Sequence, residues 1–67
     1  MPLIEIHLLE GRSAQQKKNL LASVTQAVAE SIDAPLASIR VWIQEMSEDD
    51  YMVAGHMASE RKKPASD

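Results

Sequence analysis

Pro2 follows Met1, and methionine is generally removed before so small a residue, which leaves a free secondary amine on the proline. An α-amine titrates near ~7.7–8.0 in model peptides. An apolar pocket or a nearby cation lowers that value and enlarges the neutral fraction able to act as a base. The plainer alternative is a proline that merely begins a strand. Arg12 and Arg40 are the arginines ahead of the carboxyl-terminal segment. Each offers a rigid planar fork of donors that grips a carboxylate at two points. Their plainer readings are a solvated charge for Arg12 and an inter-subunit salt bridge for Arg40. Tyr51 is one of two aromatic residues. It either packs locally or forms an apolar wall that excludes water and lowers the pKa of an amine. His7 reads as an interface or partly buried polar residue, not a catalyst, and Trp42 as an interface anchor. The absence of cysteine excludes disulfides and thiolate metal sites. The two histidines, His7 and His56, are far apart, and no spacing suggests carboxylates to complete a zinc site with them.

Three elements must position these residues. Leu3-Ile4-Glu5-Ile6-His7-Leu8-Leu9 alternates as a strand, with Ile4, Ile6 and Leu8 on one face and Leu3, Glu5, His7 and Leu9 on the other. Glu10-Gly11-Arg12 is a turn. Ser13 and Gln16 have the spacing of a capping box. Leu20, Leu21, Val24, Val28 and Ile32 then recur every three or four residues, which predicts one amphipathic helix of roughly five turns. Asp33-Ala34-Pro35 stops it, because proline disfavours helical geometry in the residue before it. A second strand is expected over 38–46, with Ile39, Val41 and Ile43 on one face and Arg40, Trp42 and Gln44 on the other. Strand, long helix and strand make a β-α-β unit with two parallel strands and a right-handed crossover helix, hence the α/β class (α+β in some schemes). The helix covers the aliphatic face. The other face carries Glu5, His7, Arg40, Trp42 and Gln44, and a parallel sheet rarely leaves a face in water. Other subunits are expected to cover it and to extend the sheet.

Size points the same way. Sixty-seven residues make a single domain, 1–67, whose last residues, about 61–67, form a polar tail. So short a chain hides only about 60% of its unfolded surface alone, and with disulfides excluded an obligate oligomer is expected. A net charge of −3 argues against a nucleic-acid partner. No stretch approaches the ~20 apolar residues of a membrane span, and the amino terminus lacks a signal segment, so a cytoplasmic protein is expected. Hydrophobic residues make up 45% of the chain and are mostly aliphatic, which fits a compact fold better than disorder.

Taken together, Pro2-Leu3-Ile4-Glu5-Ile6-His7-Leu8-Leu9-Glu10-Gly11-Arg12-Ser13 closely resembles the opening of the 4-oxalocrotonate (2-hydroxymuconate) tautomerase family. Asp33-Ala34-Pro35-Leu36, Ser38-Ile39-Arg40-Val41 and Glu45-Met46 resemble its second block, so the likeness runs over residues 2–46 without a gap. The resemblance implies keto–enol tautomerisation of a 2-hydroxy-dienoate or 2-oxo acid such as 2-hydroxymuconate, with no metal or cofactor. It implies Pro2 as the general acid/base and Arg12 as the arginine that holds the distant carboxylate and draws electron density toward it. Arg40 matches an arginine contributed by a neighbouring subunit, which binds the other carboxylate and the 2-oxygen. Tyr51 aligns with an aromatic that lines the pocket. A short carboxyl-terminal hairpin and a homo-oligomer, typically a hexamer made of three dimers, are implied as well.

The chain departs from that family's pattern where a glycine-rich turn usually follows the aromatic. Here the segment is Met52-Val53-Ala54-Gly55, so a hairpin needing positive φ must impose it on residues with a Cβ. The acidic run Glu48-Asp49-Asp50 precedes Tyr51 and would repel a dianionic substrate if it faced the pocket. Two other functions compete. A proline-dependent 3-haloacrylate dehalogenase needs a second arginine where Leu9 stands and a water-activating carboxylate where Val53 stands. A non-catalytic binding subunit is the reading if Met1 is retained, since an acylated Pro2 nitrogen has no useful basicity.

Overall fold

The computed structural model describes residues 1–60; the polar tail expected at about 61–67 lies outside the described residues. Strand β1 (Leu3–Leu9) leads into helix α1 (Ala14–Ile32), and strand β2 (Arg40–Met46) returns parallel to β1. Seven residue pairs lie in register, from Leu3 opposite Arg40 to Leu9 opposite Met46. A two-stranded hairpin, β3 (Met52–Val53) and β4 (His56–Met57), follows. No helix among the described residues is long and apolar enough to cross a membrane.

The helix starts where the sequence requires it. Ser13 Oγ accepts from the Gln16 backbone N–H at 3.1 Å, and Gln16 Oε1 accepts from the Ser13 N–H at 2.9 Å. This reciprocal pair satisfies amides that would otherwise lack partners at the first turn. At the other end Asp33 takes the left-handed conformation, φ 54°, which an aspartate tolerates better than most side chains. Lys17, one turn into the helix, reaches Glu45 of β2 at 3.3 Å and ties α1 to the sheet.

Strand β2 begins two residues later than the alternation suggests. Residues Leu36–Ser38 form a 3₁₀ turn in which the Ser38 and Ile39 N–H groups donate to Pro35 O (2.9 Å) and Leu36 O (3.1 Å). Those amides are therefore committed before the ladder starts, and Arg40 N–H makes the bond to Pro2 O at 3.1 Å that opens it.

Leu20, Leu21, Val24 and Val28 turn their stripe toward the sheet and are half-buried, as are Ile4, Ile6, Leu8, Val41 and Ile43 beneath them. The stripe's last member departs from the expectation: Ile32 ends the helix 62% exposed, beside Leu36 at 60%. Only Ala58, at 2%, is fully buried among the described residues. On the sheet's other face Glu5, His7, Arg40 and Gln44 are exposed, with Leu3 at 63% and Trp42 at 42%. One chain thus makes half a core. A half-buried aliphatic layer with large apolar groups left in water on its reverse is what a subunit of an assembly looks like when taken alone.

The hairpin forms without the glycine-rich turn. Ala54 at φ 53° and Gly55 at φ 82° occupy its two tip positions, the paired positive values of a tight two-residue turn. The Ala58 N–H donates to Tyr51 O at 2.8 Å and closes its base.

Candidate active site

Pro2 is half-buried immediately before β1, and its carbonyl accepts the Arg40 N–H. Met1, which acylates the Pro2 nitrogen in the chain as encoded, is 78% exposed. Its removal sacrifices little packing. Because successive residues of a strand face opposite sides, Pro2 falls on the side of Ile4 and the helix, while Arg40, opposite Leu3, falls on the outer face. The backbones of Pro2 and Arg40 are hydrogen-bonded, yet the pleat turns their side chains apart. One Arg40 guanidinium nitrogen donates to Ala37 O at 2.9 Å, which leans the side chain back over the 3₁₀ turn. That bond commits one of the five donors of the group.

Arg12 lies at the far end. It follows β1, whose seven residues span roughly 23 Å at ~3.3 Å each, so a whole strand length separates it from Pro2. Tyr51 is at that far end too, five residues beyond the end of β2 and 39% exposed. The Glu10 N–H donates to Met46 O at 2.9 Å and joins the two strand ends there. The four candidate residues are therefore divided within one chain. Pro2 and Arg40 sit at the amino-terminal ends of the strands, facing opposite ways, and Arg12 and Tyr51 sit beyond the carboxyl-terminal ends. The length of a strand lies between the two pairs, so one chain taken alone does not bring all four together.

Two of the depressions formed by the described residues bear on the site. One, of about 590 Å³, runs along α1 between Ala14, Lys17, Lys18, Leu21, Ala22 and Thr25, and includes none of the four candidates. The other, of about 420 Å³, is polar and lies at the turn leading into Arg12, lined by Glu10, Gly11, Ser47, Glu48 and Asp49. Sequence reasoning singled out the acids of this corner but not Ser47, which fixes them. Ser47 Oγ accepts from the Asp49 N–H at 3.1 Å and its carbonyl from the Asp50 N–H at 2.9 Å, which starts a 3₁₀ turn over Glu48–Asp50. A serine directly before an acidic run was the available signal, since serine is a favoured cap of such turns.

His7 stays outside this arrangement. It lies on the exposed outer face with Nε2 3.8 Å from Glu5 Oε1, a position suited to an interface.

Comparison with known proteins agrees with the fold and with the sequence blocks. The family model described as tautomerase enzyme matches residues 2–61. A 2-hydroxymuconate tautomerase of Pseudomonas putida is 44% identical over 63 residues, covering 94% of this chain and all of the relative. The solved structure of YwhB, a homologue of 4-oxalocrotonate tautomerase, superposes with a TM-score of 0.86 at 43% identity, over 91% of this chain and all of the other. A heterohexamer 4-oxalocrotonate tautomerase from Chloroflexus aurantiacus gives a TM-score of 0.88 at 39% identity, over 92% of this chain and all of its own.

Proposed function

The chain belongs to the tautomerase family, and from that premise we propose that it is a cofactor-independent isomerase that interconverts the enol and ketone forms of a 2-hydroxy-dienoate, as in 2-hydroxymuconate, with Pro2 as the acid–base group. The observation that carries the reading is the division of the candidate residues: each chain offers a proline at one pole and an arginine with an aromatic at the other. A second copy laid head to tail along the sheet would bring its Arg12 and Tyr51 to the first copy's Pro2. A third element of the assembly, the outward-facing Arg40, would serve a neighbour in the same way. The exposed outer face with Leu3 and Trp42 gives such copies a surface to bury, and a homo-hexamer of three dimers satisfies both demands.

In the proposed reaction the neutral Pro2 nitrogen takes the proton of the 2-hydroxyl group. The O–H electron pair becomes the C–O double bond, and the double bonds shift along the conjugated chain. Arg40 pairs with the adjacent carboxylate and stabilises negative charge on the 2-oxygen of the dienolate. Arg12, at the far end of the substrate, draws electron density toward that end. The protonated Pro2 then returns its proton to a chain carbon, and the product is the isomeric ketone with nothing gained or lost. A positioned acid–base group contributes ~10²–10⁴-fold. Preorganised cations at a developing oxyanion add a comparable factor, about 10²–10³ for a single donor in one studied enzyme. The dehalogenase alternative lacks its parts, since Leu9 is a half-buried apolar residue and Val53 sits in the hairpin strand β3.

The test is the ultraviolet absorbance of 2-hydroxymuconate with protein whose mass shows that Met1 is gone. Rapid conversion that collapses in Pro2→Ala and Arg40→Ala supports the mechanism. Absence of conversion by verified, assembled protein means that the altered loop has changed the substrate or that the chain is a binding subunit.

A further inference from the structure

Among the described residues, the two poles of the chain differ in charge. At the pole of Arg12, Glu10 follows β1 while Glu48, Asp49 and Asp50 follow β2, so four carboxylates and one guanidinium are gathered beyond the carboxyl-terminal ends of the strands. Three of the acids, Glu10, Glu48 and Asp49, line the 420 Å³ depression there, together with Gly11, the residue before Arg12. The two hydrogen bonds to Ser47, at 3.1 and 2.9 Å, pin the backbone of the turn. Tyr51 follows the turn at once and is 39% exposed, adding a hydroxyl directly after the acids. At the other pole the cation Arg40 stands at the start of β2, hydrogen-bonded through its backbone to Pro2.

We propose that this isomerase acts on monoanionic 2-hydroxy-2,4-dienoates, whose end remote from the carboxylate is uncharged, in preference to dianionic ones. The inference rests on the isomerase reading above and specifies its substrate class. A single carboxylate is held by Arg40 beside the reacting 2-oxygen. The remote end enters the corner of Arg12 and Tyr51, where the net charge of the five ionic side chains is −3, four acids against one arginine. A second carboxylate is repelled there, whereas a vinyl or hydroxylated end is not, and the Tyr51 hydroxyl can donate to an oxygen on it. Arg12 still draws electron density along the chain. Its acidic neighbours offset its attraction for a second negative charge. Proton transfer itself is unchanged: the proton leaves the 2-hydroxyl for Pro2 and returns to carbon.

The experiment compares kcat/KM for 2-hydroxypenta-2,4-dienoate and 2-hydroxymuconate, using assembled protein lacking Met1, at low salt and at ~0.5 M salt, where exposed charges are largely screened. The expected result is a preference for the monoanion by about tenfold at low salt, which shrinks as salt is added. The variant Glu48→Gln/Asp49→Asn/Asp50→Asn should raise the value for the dianion several-fold at low salt and leave that for the monoanion within about twofold. A wild-type preference for the dianion, or a preference indifferent to salt, overturns the inference alone even if the variant fails to fold. Turnover of neither substrate overturns the isomerase reading and this inference with it.

Discussion

The nitrogen of Pro2 is an amide before Met1 leaves and a secondary amine afterwards, and only the amine can accept a proton. Its activity should therefore follow its charge. Below the amine's pKa the group is protonated and cannot act as a base, so kcat/KM should fall about tenfold per pH unit on the acid side. Apolar surroundings or a cation from a neighbouring chain place the midpoint below the ~7.7–8.0 of a free α-amine. A pH–rate profile of processed protein measures that midpoint, and a flat acid limb would remove Pro2 from the chemistry. Pro2→Ala keeps an α-amine after processing, so its loss should be about 10²-fold, at the lower end of the ~10²–10⁴ range. Arg40→Lys retains a positive charge without the planar fork, and it should recover only part of what Arg40→Ala loses. These roles were legible in the sequence only as a set. Taken singly, Pro2, Arg12, Arg40 and Tyr51 each have an ordinary structural explanation, and it is their joint spacing that resembles the family. Alternation alone did place Arg40 on the face away from the helix, and the structure agrees.

Among the elements, the helix was the most legible because its start signal is made of side chains. The Ser13 and Gln16 pair forms as their spacing demands, and Ser13→Ala should cost ~1 kcal/mol, read as a lower urea midpoint at constant m-value. Strand β2 was placed two residues early because Ser38 and Ile39 satisfy the alternation but donate their amides to the 3₁₀ turn. Side-chain pattern does not report where a backbone hydrogen bond goes. The hairpin shows the converse. Its glycine-poor tip forms nonetheless, with Ala54 at φ 53°. A left-handed residue with a Cβ costs roughly 1–2 kcal/mol. Glycine relieves that strain but adds about 0.4–1 kcal/mol of unfolded-state entropy. Ala54→Gly should therefore stabilise the protein by about 0.5–1 kcal/mol, visible as a higher melting temperature, unless assembly contacts hold the tip more firmly than the backbone does.

At the scale of the whole molecule, the incomplete core of the described residues was anticipated from chain length, and the face left for partners from the alternation of the two strands. Half of the hydrophobic layer sits between α1 and the sheet, and the rest is presented outward by Leu3 and Trp42. Trp42 is the one tryptophan, so its emission should shift to shorter wavelength as subunits associate and return on dilution. Trp42→Glu should give a smaller species in sedimentation, with turnover reduced in proportion to the fraction dissociated. A variant that dissociates yet keeps full turnover per chain would contradict a site built between chains. A site shared between chains was legible through Arg40, which the resemblance assigns to a neighbouring subunit. That Arg12 lies beyond a strand spanning roughly 23 Å was not, because the span follows from the strand being extended and uninterrupted, which no residue type announces.

That strand-length separation has a genetic consequence. In the proposed assembly a lesion at Arg12 falls on a proline carried by another copy, so a defective allele expressed beside a sound one should lower the output of healthy gene product. Two impaired alleles, Pro2→Ala and Arg12→Ala, should conversely restore part of the activity when co-expressed, because random assembly places some intact prolines against intact arginines. Separately purified and unmixed, they should stay at their own reduced rates.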